Sequence, residues 1–422
     1  MNRLRVNSRS ALGVTALWLA SRALMLWLLA HDDTPLLGGG TVSREVSRLY
    51  VEWYGVLAHG AFPTHDVLWQ YPPGAGVLLL APRLLPWLPY FQAFVVLTLA
   101  MDALVTAALT HAGGRPGHSL LGAALWTGGL PLLLHLPLAR YDVQVTALAV
   151  LSLLMLKRST RACGVLGALG ALVKVWPALV LLGTPRGPAS RRAWGWAAAA
   201  GTASLGALAV LFDHPLSFLQ GQGGRGVQIE SLGGTVLNLA RHAGWPGRAR
   251  YQYGATELVG PHVYAVATLS LTLTSVSLTL LVLWRLQAQR WSEATPYDAA
   301  LSAVLLFTVT SRVISPQYMV WLLGLAAVCL TSRHTSQRPV AALVLAAAAL
   351  STLVFPMHYA EVVNGTWAGC LLMLARNGIL AAAAVLSFMR LWRSTGPDEK
   401  TVQTTEPRAG SDRLPDRALS LS

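Results

Sequence analysis

The chain alternates long apolar runs with short polar connections. From Ala11 to Phe388 the runs are rich in Ala and Leu, and many approach the roughly 20 residues needed to cross about 30 Å of hydrocarbon. They are continuous rather than alternating residue by residue, which disfavours a β-barrel. The pattern predicts an all-α, polytopic integral membrane protein of about 10–12 transmembrane helices. The candidate spans are 11–30, 74–89, 91–111, 119–138, 143–156, 162–183, 193–212, 261–285, 298–310, 316–331, 339–356 and 367–389.

Composition supports a membrane protein. Hydrophobic residues make up 54% of the chain and charged residues 12%, against roughly 25% charged residues in soluble domains. The formal net charge is +14, but Lys and Arg lie mostly in short loops beside spans, at 157–161, 191–192 and 332–338. That distribution is typical of cytoplasmic loops. We therefore attribute the charge to membrane orientation and predict no nucleic-acid partner.

Charge placement also predicts the orientation. With the N-terminus and the 332–338 loop inside, the loops at 43–76 and 213–260 lie outside. The RYD sequence at 140–142 then lies outside only if part of 112–138 forms a broken hairpin, which the sequence leaves open. We expect residues 1–393 to form the membrane domain. The polar segment 394–422 has no apolar face to bury, so it is predicted to be a disordered cytoplasmic tail.

Several kinds of site are not supported by the sequence. The three cysteines (Cys163, Cys329 and Cys370) lie in apolar segments without CxxC spacing, and no HExxH motif occurs. GQGGRG lacks the strand and helix context of a nucleotide-binding loop, and no GxSxG elbow is present. We expect no metal and no cofactor.

The first outer loop, Ser43 to Gly76, has an unusual composition. It holds three of the chain's few acids together with five aromatic residues, a density that an ordinary connection between spans does not need. This composition predicts a loop that holds a ligand at the membrane surface. The acids are Glu45, Glu52 and Asp66, and the aromatics are Tyr50, Trp53, Tyr54, Trp69 and Tyr71.

Four polar patches are predicted to lie at or near the outer membrane face, joined by Lys174, which stands between two apolar half-segments. Carboxylates together with Arg, Lys and aromatics suit a general base beside cations that hold a phosphate. The patches with their candidate substrate-binding residues are the first outer loop (Tyr50, Tyr71), LARYDVQ (Arg140, Asp142), GQGGRGVQIES (Arg225, Glu230) and TSRVISPQY (Arg312, Gln317, Tyr318).

The order of these motifs resembles the polyprenyl-phosphate-mannose-dependent α-mannosyltransferases, glycosyltransferase family 87 of the GT-C superfamily. The resembling features are an acid shortly before LY, then GAFPTHDVLWQYPPGA, RYD, a Lys-x-x-Pro element at 174–177, RGVQIES and SPQYMVW, and they cover about residues 10–390. The resemblance implies a multi-spanning GT-C-like fold in the cytoplasmic membrane with an extracytoplasmic active site. It also implies a polyprenyl-phosphate sugar donor and a glycolipid or glycan acceptor.

By position in the resembling motif, the family's catalytic acid maps to Glu45, although the family usually has Asp there. The extra methylene moves the carboxylate by about 1 Å, a distance that matters for catalytic geometry. An inverting sugar transfer needs one carboxylate to take the proton from the acceptor hydroxyl. The departing lipid phosphate then needs nearby cations rather than a strong acid.

Each candidate also has a simpler structural interpretation. Glu45 could be a helix-start acid beside Ser43, and Asp66, the rival catalytic base, could be a turn acid. Asp142 could pair with the neighbouring Arg140 as a structural ion pair. Arg312 could snorkel to the interface instead of binding phosphate.

Lys174 is costly in lipid, which favours a role in a pocket. Arg22 and Asp102 both lie within apolar spans, so we expect them to face the bundle interior and pair with each other. Two rival functions remain open: a transporter or flippase for a lipid-linked sugar, which predicts an internal repeat, and a non-catalytic scaffold in envelope assembly.

Overall fold

A computed structural model describes residues 8–222 and 224–397, and it confirms the all-α prediction. Within these ranges, six helices are long and apolar enough to cross a membrane. Together they identify a multi-pass membrane protein. They are α1 (Ser8–Ala30), α5 (Tyr90–Gly113), α9 (Pro188–Leu211), α11 (Val263–Gln287), α14 (Arg338–Thr352, extended by a π-helical turn to Met357) and α16 (Trp367–Thr395).

Shorter helices complete the bundle and the loops at its ends. Most of those in the bundle are as apolar as the long ones but contain 9 to 16 residues. The shorter helices are α2 (Thr41–Arg44), α3 (Val51–Ala58), α4 (Gly74–Leu80), α6 (Leu121–Gly129), α7 (Asp142–Met155), α8 (Thr160–Val173), α10 (Leu232–Ala240), α12 (Thr295–Thr310), α13 (Tyr318–Thr331) and α15 (Tyr359–Asn364).

Gly and Pro residues interrupt the apolar segments 119–138 and 162–183, which predicts broken helices, and both segments are broken in the structure. α6 continues as the 3-10 turns Leu130–Leu133 and Leu136–Ala139, each with a Pro in its first positions. α8 ends at Val173, and after an extended Lys174 the chain resumes as the 3-10 helix Trp176–Gly183. Because proline has no N–H and clashes with the preceding turn, it interrupts an α-helix at these points.

Contacts between loops divide the bundle into two ends. At one end, called here the site end, Glu45 contacts Arg140 and Asp32 contacts His135. At the other, called here the basic end, His118 and Lys157 both contact Glu293, and the backbones of His118 and Ser332 form a β-bridge. The Arg-rich and Lys-rich loops at 157–161 and 332–338 therefore lie opposite the site.

This arrangement resolves the position of the RYD sequence. No hairpin forms within 121–139, which runs as one broken element from the basic end to the site end.

The predicted span at 74–89 is wrong. Helix α4 and the 3-10 turn Ala81–Leu84 together contain 11 residues. At about 1.5 Å per α-helical residue and about 2.0 Å per 3-10 residue they span about 18 Å, well short of the roughly 30 Å of hydrocarbon. An even number of crossings therefore separates the first outer loop from Arg140, and both lie at the site end.

Helices α12 and α13 form the centre of the bundle. Almost every residue of α13 is buried, and so is most of α12. A helix that is apolar on all sides is stable when other helices surround it. Helix α13 packs against α6, α7, α12 and α14, so its first turn, at Tyr318, reaches the site end in a fixed position.

The second large loop folds into a small lobe that the hydrophobic pattern did not predict. Three antiparallel strands form a sheet of order β1–β3–β2, with α10 following β1. Central β3 pairs Leu258 with Val227 of β1 and with Ala249 of β2. The strands are β1 (Val227–Gln228), β2 (Arg248–Gln252) and β3 (Ala255–Val259).

Ser394 and Thr395, assigned from the sequence to the tail, belong to the last helix. Residues 398–422 lie outside the described ranges, so the predicted disorder of the tail stays a prediction.

Arg22 and Asp102 pair inside the bundle, as expected. Arg22 donates from Nε and Nη2 to the two carboxylate oxygens, each at 2.7 Å. The indole N–H groups of Trp18 and Trp126 also donate to Asp102, at 2.7 and 2.8 Å. Because both charges are buried, the bidentate pair removes the cost of isolated charges within apolar helices.

We expect Asp102→Ala to lower the thermal midpoint of the detergent-solubilised protein, by the equivalent of about 3–5 kcal/mol, since it leaves Arg22 buried without a counter-charge. The paired variant Arg22→Met with Asp102→Asn should recover most of that loss, because it removes both charges and keeps an acceptor for the indoles. Equal destabilisation of the single and paired variants would contradict this account.

Candidate active site

Glu45 begins a π-helical stretch, Glu45–Tyr50, between α2 and α3. The wider π-helical turn repeats near every fifth residue, so Tyr50 returns to the same side as Glu45. The Tyr50 hydroxyl donates to Glu45 Oε1 at 3.3 Å, and Arg140 Nη2 lies 2.9 Å from Oε2. The carboxylate is thus held at both oxygens while its side chain stays 24% exposed.

Two backbone carbonyls also hold the Arg140 guanidinium in place. Its Nη1 donates to the carbonyl oxygens of Val42 and Ala139, at 3.0 and 2.6 Å, and the residue is buried. The guanidinium therefore ties the Glu45 helix to the end of the broken element that contains α6. This pairing corrects the structural alternative in which Arg140 pairs with Asp142.

Asp142 instead pairs with Lys174. Lys174 Nζ and Trp321 Nε1 each donate to Asp142 Oδ1 at 2.6 Å. The ammonium also lies over the rings of Tyr141 and Trp321, 4.8 and 5.0 Å from their centroids, and within 6 Å of those of Tyr71 and Tyr318. A carboxylate and four aromatic faces stabilise a cation that would be costly in lipid.

Gly74 makes the approach of α4 to Lys174 possible. Its α-carbon packs against the backbone just before the lysine, so closely that a Cβ there would lie 2.6 Å from the carbonyl carbon of Leu172. The YPPGAG segment and the lysine segment are therefore in backbone contact.

The third and fourth predicted patches meet through hydrogen bonds. Gln228 N donates to the Arg312 carbonyl at 3.0 Å, and Arg312 Nη1 donates to the Arg225 carbonyl at 2.9 Å. Gln228 Nε2 also donates to Ser315 Oγ at 3.2 Å. The loop before α13 and the loop before α10 thus form one wall.

Sequence reasoning missed Glu257, on central strand β3. It is fully buried, accepts from Gly226 N at 3.0 Å and Gln252 Nε2 at 2.7 Å, and lies 3.7 Å from Arg225 Nε. Only the three-stranded sheet brings it to the arginine, and no local motif marks it. The two residues are 32 positions apart in the sequence, so their spacing does not indicate that they are neighbours.

Arg376, on α16, was also missed. It is fully buried, and its Nη2 lies 3.2 Å from Glu230 Oε2. Burial raises the pKa of Glu230 to about 7, an effect that the adjacent guanidinium of Arg376 opposes. A basic residue within an otherwise apolar helix was the signal that could have identified it.

Two neighbouring cavities open at the site end. The first, called here the polar cavity, has a volume of about 570 Å³. The second, called here the aromatic cavity, has a volume of about 350 Å³. Among the described residues, Glu45 is the carboxylate that lines both. The polar cavity is lined among others by Arg44, Arg48, Arg140, Gln228, Glu230 and Tyr359, and the aromatic cavity by Tyr71, Lys174, Trp176, Arg225, Phe307 and Tyr318.

Most predicted site residues gather around these cavities. Gln317 lines both, while Tyr50 and Asp142 stand behind the walls as partners of Glu45 and Lys174. Arg312 donates to the backbone carbonyl of Arg225 and is not among the described residues that line the two cavities.

Asp66, the rival base, lies elsewhere. Trp53 Nε1 donates to Oδ2 at 2.7 Å and Leu68 N donates to Oδ1 at 2.9 Å. It lines a separate surface cavity with His65 and Asp213. These contacts are those of a carboxylate that shapes a turn.

The helices and the two cavities at one end define a multi-pass membrane protein with a candidate site at that end. The chain belongs to glycosyltransferase family 87, which matches residues 69–316, more than half of the chain. The protein is therefore a membrane glycosyltransferase. No curated protein matches the chain. The family match begins after Glu45, so it covers the QYPP, RYD, Lys174 and RGVQIES motifs but not the candidate base.

We expect Gly74→Ala to lower sugar-transfer activity by about tenfold, because the added methyl group must displace the backbone before Lys174, and overpacking typically costs about 1–3 kcal/mol. Gly55→Ala, in α3 of the same loop, is the matched control because a Cβ there meets nothing within 4 Å. Transfer rates and thermal midpoints of both variants test this, and equal behaviour would contradict the close approach.

Proposed function

We propose that the protein transfers mannose, or a related hexose, from a polyprenyl phosphate to a glycolipid or glycan acceptor, with inversion at the anomeric carbon. One observation carries the proposal: the Glu45 carboxylate lies on the wall shared by two cavities. A base in that position can reach an acceptor hydroxyl in one cavity while the donor occupies the other. The identity of the sugar rests on the family resemblance.

The aromatic cavity suits the donor. Lys174 and Arg225 place two cations on its wall, where a lipid phosphate would bind. Its remaining wall includes apolar residues that can contact a prenyl chain, namely Val175, Trp176, Phe218, Leu219, Phe307 and Val313.

The polar cavity suits the acceptor. Its wall combines carboxylates, amides and guanidiniums, including Glu230, Gln228 and Arg48. Such groups bind the many hydroxyls of a sugar through fixed hydrogen bonds. The cavity is also large enough for more than one sugar ring by ordinary ligand-site volumes.

In the proposed reaction, Glu45 takes the proton of the acceptor hydroxyl as its oxygen attacks the anomeric carbon. The bond from that carbon to the phosphate oxygen breaks on the opposite face, and polyprenyl phosphate leaves with the electron pair. Arg225 and Lys174 stabilise the charge that develops on the leaving group. The Arg140 guanidinium and the Tyr50 hydroxyl orient the Glu45 carboxylate.

Charge distribution supports an extracytoplasmic site in the cytoplasmic membrane. The Arg-rich and Lys-rich loops lie at the basic end, and such loops remain preferentially in the cytoplasm. The site end would then face outward and contact lipids of the outer leaflet.

We expect Glu45→Gln to reduce transfer by about a hundredfold or more, since an amide cannot accept the proton, while the protein stays folded. Initial rates with radiolabelled polyprenyl-phosphate mannose in proteoliposomes measure this. Asp33→Asn, an exposed carboxylate at the site end that lines neither cavity, is the control and should keep most of the activity. Full activity of the Glu45 variant would overturn its assignment as the base.

The same proteoliposomes separate this function from its rival. A new radiolabelled glycoside supports transfer, whereas movement of the intact lipid across the bilayer without a new glycoside would identify a lipid-linked sugar transporter.

We also expect Arg225→Gln to weaken inhibition by sugar-free polyprenyl phosphate by about tenfold, because the guanidinium would contact its phosphate. The acceptor KM should stay within about twofold. An unchanged inhibition constant would place the phosphate elsewhere.

A further inference from the structure

The β2–β3 hairpin extends over the boundary between the two cavities. Its turn residues, Tyr253 and Gly254, both have positive φ, 52° and 75°, the combination that closes a tight two-residue hairpin. Gly254 and the adjacent Ala255 line both cavities. The lobe therefore brings a short hairpin beside Glu45.

Tyr251, on β2 of this hairpin, is 66% exposed and also lines both cavities. Burial of its inner part and the negative charge of Glu45 both raise the pKa of Tyr251, which reflects how near the carboxylate lies. An aromatic ring left this exposed beside a carboxylate has a free face available to a ligand.

The hairpin that carries this ring is firmly held. Tyr251 pairs with Thr256 of β3, and the side chain of the next residue, Gln252, donates to buried Glu257 at 2.7 Å. Central β3 also pairs with β1, where Gln228 N donates to the Arg312 carbonyl at 3.0 Å. The ring is therefore presented by a sheet anchored to the wall of the site.

We propose that Tyr251 is the stacking platform for the transferred hexose, and that its ring face contacts the apolar C–H face of that sugar. The proposal rests on the function proposed above. A hexose spanning from a phosphate in the aromatic cavity to an attacking hydroxyl in the polar cavity must pass the shared wall, where Tyr251 and Glu45 lie. Contact with the ring holds the anomeric carbon within reach of both.

The test uses the full-length protein in proteoliposomes with polyprenyl-phosphate mannose as donor. Tyr251→Phe keeps the ring and should stay within about twofold of the wild-type kcat/KM for the donor. Tyr251→Leu and Tyr251→Ala remove the aromatic face and should each lose about tenfold, the scale of one good aromatic contact. The side chain is exposed, so the thermal midpoint should not change.

Inhibition by sugar-free polyprenyl phosphate separates loss of the sugar contact from a structural defect. If the substitution distorted the site, the inhibition constant would change as well. It should be the same in all Tyr251 variants, because the inhibitor has no sugar for the ring to contact. Tyr264→Ala is the matched control, since Tyr264 is 86% exposed at the same end and lines neither cavity.

Three outcomes would overturn the proposal. An equal loss in Tyr251→Phe would assign the contact to the hydroxyl, and weakened inhibition in Tyr251→Ala would assign it to the phosphate or the lipid. Wild-type transfer by Tyr251→Ala would show that the sugar does not contact the ring. If the wild-type protein itself transfers no sugar from this donor, the proposed function fails instead.

Discussion

The site end depends on the buried pair of Asp142 and Lys174. The carboxylate accepts from the lysine and from Trp321 through the same oxygen, each at 2.6 Å, and thereby joins α7, the break after α8 and the first turns of α13. A lysine in that apolar setting is tolerable only with a counter-charge. Because the pair fixes Lys174, it also fixes the wall of the aromatic cavity and the rings that surround the ammonium.

Other charge pairs among the described residues follow the same constraint, with one difference in exposure. The carboxylates of the Arg22–Asp102, Lys174–Asp142 and Arg376–Glu230 pairs are at most 3% exposed, while Glu45 in its pair with Arg140 is 24% exposed. A carboxylate with almost no solvent access holds its cationic partner in place, whereas a carboxylate both oriented and accessible can exchange a proton with a substrate. Exposure therefore separates Glu45 from the three buried acids.

Much of this arrangement could be predicted from the sequence because hydrophobic runs and interrupting prolines act locally. The broken segments and the Arg22–Asp102 pair are confirmed, and the four polar patches do meet at one end. The 74–89 span is wrong because the segment is apolar throughout but its helix is short. The α-helix ends before Pro82, and no helix continues through Pro86. The sheet, Glu257 and Tyr251 depend on pairing between distant strands, which no local pattern encodes. Local proximity also suggested the wrong partner for Asp142.

Gly74 has a consequence for how sequence changes in this protein should be interpreted. It has no side chain to contact a substrate. Its backbone nevertheless packs directly against the backbone of the lysine segment, so this glycine sets the distance between that segment and the first outer loop. Every larger residue widens that gap. In a mutational scan scored only by product formation, this glycine would be indistinguishable from a residue that takes part in the chemistry, and only a separate measurement of folded protein would reveal that its contribution is one of spacing.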